Sequence, residues 1–324
     1  MKYRRLGNTG LLVSEISYGT WMTFGNQVSA TEAGVLVGRA LSLGINYFDT
    51  ADVDRRGEAE TILGRALRDA AIRQDYVVAT KAYFPMGDGV NNRGLSRKHL
   101  FDSVHDSLRR LGTDYIDLFY CHRYDEHTPL VETLQAVQDL IRAGKILHWG
   151  VSDWTADQIA EAASKCKAYG WIPPAVDQPR YSLLHRAPER RILPVCENQG
   201  LGVVGYSPLA EGLLTGKYLR GATPVASRGS LDELNVYMRE ALADEKTAER
   251  IAGLARVARE AGVTPAQLAL SVLLRRREVD SLIVGATSEE QLRENAAASG
   301  LRIAETTVDA VDELFPPKSY MSSS

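Results

Sequence analysis

The sequence has little cysteine. Its 324 residues include three cysteines, Cys121, Cys166 and Cys196, and no C-x-x-C pair. Three scattered thiols make neither a disulfide framework nor the usual spacing of zinc ligands. We therefore predict reduced thiols, no metal site and a cytoplasmic location.

Long apolar runs and a surplus of one charge are absent as well. No uninterrupted run approaches the ~20 apolar residues of a membrane-spanning helix, and no apolar segment follows the charged N-terminal residues, as a secretory signal requires. The formal net charge is -3, and no basic stripe occurs. We therefore expect neither a membrane nor a nucleic acid as a partner.

A Gly-x-Gly-x-x-Gly motif after a predicted strand is also missing, so a Rossmann dinucleotide site is not predicted. The composition, 44% hydrophobic and 24% charged, suits a globular protein with one large core. At this length an α/β barrel can form a single domain, and we predict one over residues 1–324.

Short β-branched or aromatic runs alternate with segments of helical period. We predict eight strands, at 16–20, 47–49, 77–80, 116–121, 148–152, 175–178, 203–206 and 281–284. Between them, apolar residues recur at helical spacing, as in Leu100, Val104, Leu108 and Leu111. This alternation predicts an α/β fold, a closed (β/α)8 TIM barrel.

Two further features frame the predicted barrel. Gly7-Asn8-Thr9-Gly10 lies between two extended stretches and predicts an N-terminal β-hairpin across the bottom of the barrel. After the seventh barrel strand, roughly forty residues rich in glycine precede a helix predicted at 245–261, which is long for a routine connection. A loop of this length on the C-terminal side of a strand is typical of a binding loop.

Titratable or polar residues stand at the ends of four predicted strands: Asp49, Lys81, His122 and the pair of Ser152 and Asp153. Any one of them alone reads as a structural residue. Because the strand ends of a barrel meet at one face, together they predict a site for acid–base chemistry.

Several segments carry a resemblance to a known family: GTWMTFG (19–25), FDTA (48–51), RGLSRKH (93–99), WGVS (149–152), YSPL (206–209) and GATSEEQL (285–292). On these residues the chain resembles the aldo-keto reductases throughout its length. Within the family it is most similar to the β-subunits of voltage-gated potassium channels and their bacterial relatives. The resemblance implies NADP(H) as cofactor and a small-molecule substrate, and it leaves a homo-oligomer open.

The resemblance also implies residue roles. Asp49 and Lys81 match the pair that lowers the pKa of the catalytic acid, and His122 matches the histidine that orients the carbonyl. Twelve residues match cofactor contacts: Ser152, Asp153, Gln178, Tyr206, Ser207, Leu209, Lys217, Arg228, Thr287, Gln291, Glu294 and Asn295. Five aromatic residues are predicted to line the substrate pocket: Trp21, Tyr83, Phe84, Tyr124 and Trp154.

The chain departs from the family pattern at two of these positions. Asp153 stands where the family usually has Asn, and it can accept hydrogen bonds but not donate them. Asp54 stands where the family has the tyrosine that protonates the carbonyl oxygen. An aspartate has an unperturbed pKa near ~3.9, and a nearby Lys81 lowers it, so we expect Asp54 to be ionised and paired with Lys81.

Four interpretations follow from Asp54. It is buried and kept protonated; or His122, with a pKa near ~6.5, or water supplies the proton. Alternatively, hydride goes to the β-carbon of a conjugated enone, such as a nucleotide-sugar 2,3-enone whose diphosphate would lie near Arg55, Arg56 and Arg123. In the fourth interpretation, the chain is a catalytically silent, cofactor-binding subunit. The function predicted is NADPH-dependent hydride transfer to a carbonyl or conjugated enone.

Overall fold

The structure, a computed structural model, describes residues 1–218 and 244–317. Eight parallel strands form a closed barrel, in which each strand pairs with the next one along the chain and the last pairs with the first. The strands are β3 (Ile16–Gly19), β4 (Tyr47–Asp49), β5 (Val77–Ala82), β6 (Ile116–Cys121), β7 (Ile146–Ser152), β8 (Val176–Gln178), β9 (Gly202–Tyr206) and β10 (Ser281–Val284). The predicted (β/α)8 barrel is confirmed, and the observed strand limits differ from the predicted ones by at most two residues.

The barrel strands are buried on both faces. All six residues of β5 are buried, because one face lines the barrel interior and the other packs under the surrounding helices. The helices span Ala30–Ser42, Glu58–Ala70, Arg97–Leu111, Leu130–Arg142, Ala156–Tyr169, Pro188–Gln199, Glu245–Glu260, Pro265–Leu274, Glu289–Ala296 and Glu305–Leu314. Within the described ranges, no helix is both long enough and apolar enough to cross a bilayer.

The helix Arg97–Leu111 illustrates how the sequence sets these elements. Its first turn is capped by Ser96, whose side chain accepts a hydrogen bond from the backbone of His99. It ends at Gly112, which adopts the left-handed φ of 64° that favours glycine. Its apolar face, predicted from the spacing of the leucines, is buried against the barrel.

The predicted hairpin is present as β1 (Tyr3–Arg5) and β2 (Leu12–Ser14), an antiparallel pair. Leu6 and Val13 join a buried cluster with residues of the barrel interior. The backbone N–H of Gly7 donates to Asp280 at 3.0 Å, at the N-terminal end of β10. The hairpin therefore covers the N-terminal end of the barrel and leaves the C-terminal end open.

The segment that follows β9 begins with a 3-10 helix, Ala210–Thr215. The next described helix is Glu245–Glu260, within one residue of its predicted end. Most of the intervening long loop, including Arg228, lies outside the described residues.

Candidate active site

One cleft of about 790 Å³ opens at the C-terminal end of the barrel. Five of its lining residues end or nearly end a strand: Asp49, Lys81, Ser152, Gln178 and Tyr206. Parallel strands point their C-termini to the same face, so residues distant in sequence meet there. Of the strand-end residues that the sequence singled out, Asp49, Lys81, His122 and Ser152 line this cleft, and Asp153 does not.

The centre of the cleft is a hydrogen-bonded group around Asp49. The ammonium of Lys81 donates to one carboxylate oxygen of Asp49 at 2.5 Å and to the carbonyl of Thr50 at 2.8 Å. The side-chain amide of Gln178 donates to the other oxygen of Asp49 at 2.9 Å. Both oxygens of Asp49 are therefore engaged, and the charge of Lys81 is balanced within the group.

Asp54 lines the same cleft with 9% of its surface exposed. It begins a 3-10 turn directly after the active-site loop, where its backbone N–H donates to Ala51 at 3.1 Å. Burial raises the pKa of Asp54 to about 7; Lys81 opposes this, and the charges of Asp49 and Glu60 add to it. The expected pairing with Lys81 and the expected low pKa of Asp54 are wrong, because the lysine makes its ion pair with Asp49 and burial raises the pKa more than the lysine lowers it.

His122 follows β6 and lines the cleft beside Phe84, whose ring meets the imidazole edge-on at 4.9 Å. Burial, with the nearby charges of Lys81 and Arg123, lowers the pKa of His122 to about 2. The expected titration near ~6.5 is therefore wrong, and the imidazole is neutral at physiological pH. A neutral imidazole still offers one N–H to an oxygen.

Asp153 does not line the cleft, but it is hydrogen-bonded to Tyr206, which does. Its carboxylate accepts hydrogen bonds from the hydroxyl of Tyr206 at 2.8 Å and from the backbone of Arg180 at 3.1 Å, and it pairs with Arg123 at 3.0 Å. Three donors on one side chain suit a carboxylate better than an amide, which carries only one acceptor oxygen. The replacement of the family's Asn thus has a local structural reason.

The far end of the cleft lies at the start of the helix Glu289–Ala296. Ser288 caps this helix by accepting from the backbone of Gln291 at 3.3 Å. The side-chain oxygen of Gln291 accepts from the backbone of Thr287 at 2.9 Å and not from Ser288, so the reciprocal capping box that Ser288 and Gln291 could form is only half formed. Seven of the predicted cofactor residues line the cleft here or near β9: Ser207, Leu209, Lys217, Thr287, Gln291, Glu294 and Asn295.

Comparison with known proteins identifies the family to which this fold and cleft belong. Residues 15–315 match the model of the Aldo/keto reductase family. The chain belongs to that family. A probable voltage-gated potassium channel subunit beta from Oryza sativa subsp. japonica is 42% identical over 315 residues, 97% of this chain and 95% of that protein. A similarly described protein from Arabidopsis thaliana is 42% identical over 92% of this chain and 91% of its own length. A putative one from Schizosaccharomyces pombe is 37% identical over 97% and 90%.

Fewer aromatic residues line this cleft than the sequence predicted for the substrate pocket. Trp21 and Phe84 line it, whereas Tyr83, Tyr124 and Trp154 do not. Tyr83 packs edge-on against Phe84 at 5.3 Å, and Tyr124 packs edge-on against Trp154, which is 2% exposed. The three pack in or against the hydrophobic core beside the strand ends, and the cleft lining of the described residues does not include them.

The arginines after Asp54 also lie elsewhere than expected. Arg55 and Arg56 are exposed and do not line the cleft, and Arg55 pairs with Glu58 at 3.4 Å. Arg123 does line it, but it is engaged with Asp153. Of the three arginines expected near a diphosphate, Arg123 is therefore the one that lines this cleft among the residues that the structure describes.

Three charged residues near Asp54 were missed from sequence: Asp52, Glu60 and Arg110. Glu60 is fully buried and accepts from Arg110 at 2.5 Å and from Thr80 at 2.6 Å. Within the described part of the chain, neither carboxylate oxygen of Asp52 has a hydrogen-bond partner, and burial raises its pKa well above the usual range. The available signal was Glu60 itself, a charge among the buried, mostly apolar residues of the helix Glu58–Ala70.

Proposed function

We propose that this protein is an NADPH-dependent reductase of small carbonyl compounds in which Asp54, in its protonated form, donates the proton. The observation that carries the proposal is the buried carboxyl of Asp54 in the same cleft as Lys81, with a pKa of about 7. About half of such groups hold a proton at neutral pH, which is where an acid catalyst works best.

The residues of the cleft fit NADP(H). The volume lies within the usual range for small-molecule sites, roughly 300–1,000 Å³. Tyr206 offers an aromatic face fixed by its hydrogen bond to Asp153, and the capped start of the helix at Ser288 suits a phosphate. The cofactor, when bound, supplies the hydride.

The phosphate end of the cleft requires a cation. Glu290 and Glu294 line it together with Lys217, and two carboxylates disfavour an anion unless positive charge offsets them. Lys217 supplies one such charge. The family resemblance assigns a second to Arg228, which lies outside the described residues.

Three residues of the chain each have a separate role at the carbonyl. Asp54 holds a proton at its carboxyl group. Lys81 favours negative charge on a nearby oxygen, because it is held in a buried site where electrostatic effects are strong. His122, being neutral, offers an N–H that orients the carbonyl without competing as an acid.

A second candidate is a cofactor-binding subunit that acts through a partner. The names of the similar proteins from rice, Arabidopsis and fission yeast, all potassium channel β subunits, favour it. We do not extend the proposal to nucleotide-sugar enones, because Arg55 and Arg56 lie outside the cleft.

NADPH oxidation by the wild-type protein and by Asp54→Asn, against aldehydes, ketones and enones, tests the proposal. We expect turnover of carbonyl substrates that falls on the order of 10²–10⁴-fold in Asp54→Asn. Cofactor deuterated at the transferred position should label the carbinol carbon of the product. Label on the β-carbon of an enone would replace carbonyl reduction by enone reduction, and tight cofactor binding without any turnover would support the second candidate.

A further inference from the structure

The turn that carries Asp54 has a backbone that needs support. Arg55 and Arg56 have φ of 51° and 53°, and Gly57 follows with 89°. Two consecutive residues other than glycine in the left-handed region are unfavourable. Such a conformation persists only where the surrounding structure holds it.

The side chain of Arg110, from the helix Arg97–Leu111, lies directly on this turn. A Cβ built on Gly57 would be 2.5 Å from Cδ and Nε of Arg110. The same Nε donates to Glu60 at 2.5 Å, and the guanidinium also donates to Ser107 at 3.3 Å. Arg110 therefore packs against the turn and is tied to the helix that begins directly after it.

Glu60 extends the link to the strand that carries the lysine. Its second carboxylate oxygen accepts from the hydroxyl of Thr80 at 2.6 Å. Thr80 precedes Lys81 on β5, and successive strand residues point to opposite faces. The outward Thr80 thus meets Glu60 behind the barrel, while the inward Lys81 faces the cleft.

We propose that the ion pair of the partly buried Arg110 with the buried Glu60 positions the carboxyl of Asp54, by holding the left-handed turn of residues 54–57 against β5. The catalytic consequence rests on the proposed function, in which Asp54 is the acid. The positioning itself rests on the contacts alone.

The charges around Asp54 predict the direction in which its pKa should change when either member of the ion pair is removed. Asp49 from β4 and Glu60 from the following helix face it with negative charge, and Lys81 from β5 with positive charge. Asp52, on its own loop, also faces it, and His122 across the cleft is neutral. Arg110 offsets the charge of Glu60. Removing Glu60 should therefore lower the pKa of Asp54, whereas removing Arg110 should raise it.

The test compares Glu60→Gln, Arg110→Gln and Arg110→Lys, each with and without Asp54→Asn. For each variant, the free energy of unfolding is measured across pH with and without Asp54→Asn. The pH dependence of the difference between the two gives the pKa of Asp54 without any assay of activity. We expect it to fall in Glu60→Gln and to rise in Arg110→Gln, each by on the order of one pH unit. Arg110→Lys, which keeps the charge, should stay near the wild-type value. If Glu60→Gln does not fold, the two Arg110 variants decide.

Arg73→Gln is the matched control. Arg73 pairs with Asp117 at 2.6 Å with similar burial, but neither residue lines the cleft. It should lower stability and leave the pKa of Asp54 unchanged. Shifts of the same sign in Glu60→Gln and Arg110→Gln, or none, would overturn the inference.

Measurements of kcat distinguish a failure of the positioning role from a failure of the proposed function. In Arg110→Gln, kcat should fall roughly tenfold or more even at low pH, because a misplaced acid loses rate without losing substrate affinity. If the pKa of Asp54 moves as expected but Asp54→Asn keeps wild-type kcat, the proposed function fails and the positioning role stands. If kcat of Arg110→Gln matches Arg73→Gln at every pH, the positioning role fails.

Discussion

The ammonium of Lys81 lies 2.5 Å from a carboxylate oxygen of Asp49, and its second hydrogen bond goes to the carbonyl of Thr50. This pairing matters for Asp54, whose pKa the lysine lowers less than burial raises it. A carboxylic acid that holds a proton near neutrality can replace a phenol as a proton donor, although over a lower range of pH.

Asp54→Tyr should extend carbonyl reduction to higher pH. A group with a pKa of about 7 holds its proton in about 1% of molecules at pH 9, whereas a phenol near ~10 keeps its proton there. We expect a gain in kcat of roughly a hundredfold at pH 9 and little gain at pH 6. Stopped-flow or steady-state rates on one aldehyde across this range measure it. Equal gains at both pH values would show that Asp54 does not supply the proton.

His122 should not titrate between pH 5 and 8, because burial and neighbouring cations lower its pKa to about 2. The imidazole resonances of His122, assigned by comparison with His122→Asn, should hold constant chemical shifts over this range by NMR. The same resonances in urea-unfolded protein should titrate near ~6.5, which serves as the control. A folded-state midpoint between pH 6 and 7 would restore His122 as the proton donor.

Asp54→Asn should stabilise the protein at alkaline pH. The folded pKa of Asp54 is raised above its unfolded value of ~3.9, so the neutral form is favoured by folding and stability is lost as pH rises from about 4 through about 7. Removing the charge should recover up to about 4 kcal/mol of unfolding free energy at pH 8 and almost none at pH 4. Urea unfolding at the two pH values measures the difference. Asp280, whose pKa is also raised to about 7, contributes to both proteins and cancels.

NADPH should bind more tightly than NADH. One charge-assisted contact to the 2′-phosphate is worth roughly 1.5–3 kcal/mol, which is about tenfold or more in affinity. Lys217→Ala and Arg228→Ala should each lose part of this preference, and Lys246→Ala, an exposed lysine outside the cleft, should keep it. Fluorescence titration of both cofactors measures the ratio. Equal affinities in the wild-type protein would contradict the cofactor assignment.

The sequence predicted the fold because the signals involved are local. Alternating buried strands and amphipathic helices, together with the Gly7–Gly10 hairpin motif, indicate a barrel before any contact is known. It also predicted which strand-end residues meet, since the barrel places all strand C-termini on one face. The same reasoning did not show which loop aromatics line the cleft, and the lining of the cleft does not include Tyr83, Tyr124 and Trp154. Strand position determines the end of the barrel at which a residue lies but not the direction of its side chain in a loop.

Protonation was decided only by the tertiary structure. Asp54, His122 and Lys81 were all recognised in the sequence, but their charge states depend on burial and on distances to groups far along the chain. Glu60 and Arg110, fifty positions apart, meet behind Asp54, and Asp49 takes the charge of Lys81. The sequence by itself determined the barrel and placed the strand-end residues Asp49, Lys81 and Ser152 at one end of it. Desolvation and through-space charge, which exist only in the folded molecule, raise the pKa of Asp54 and keep His122 neutral.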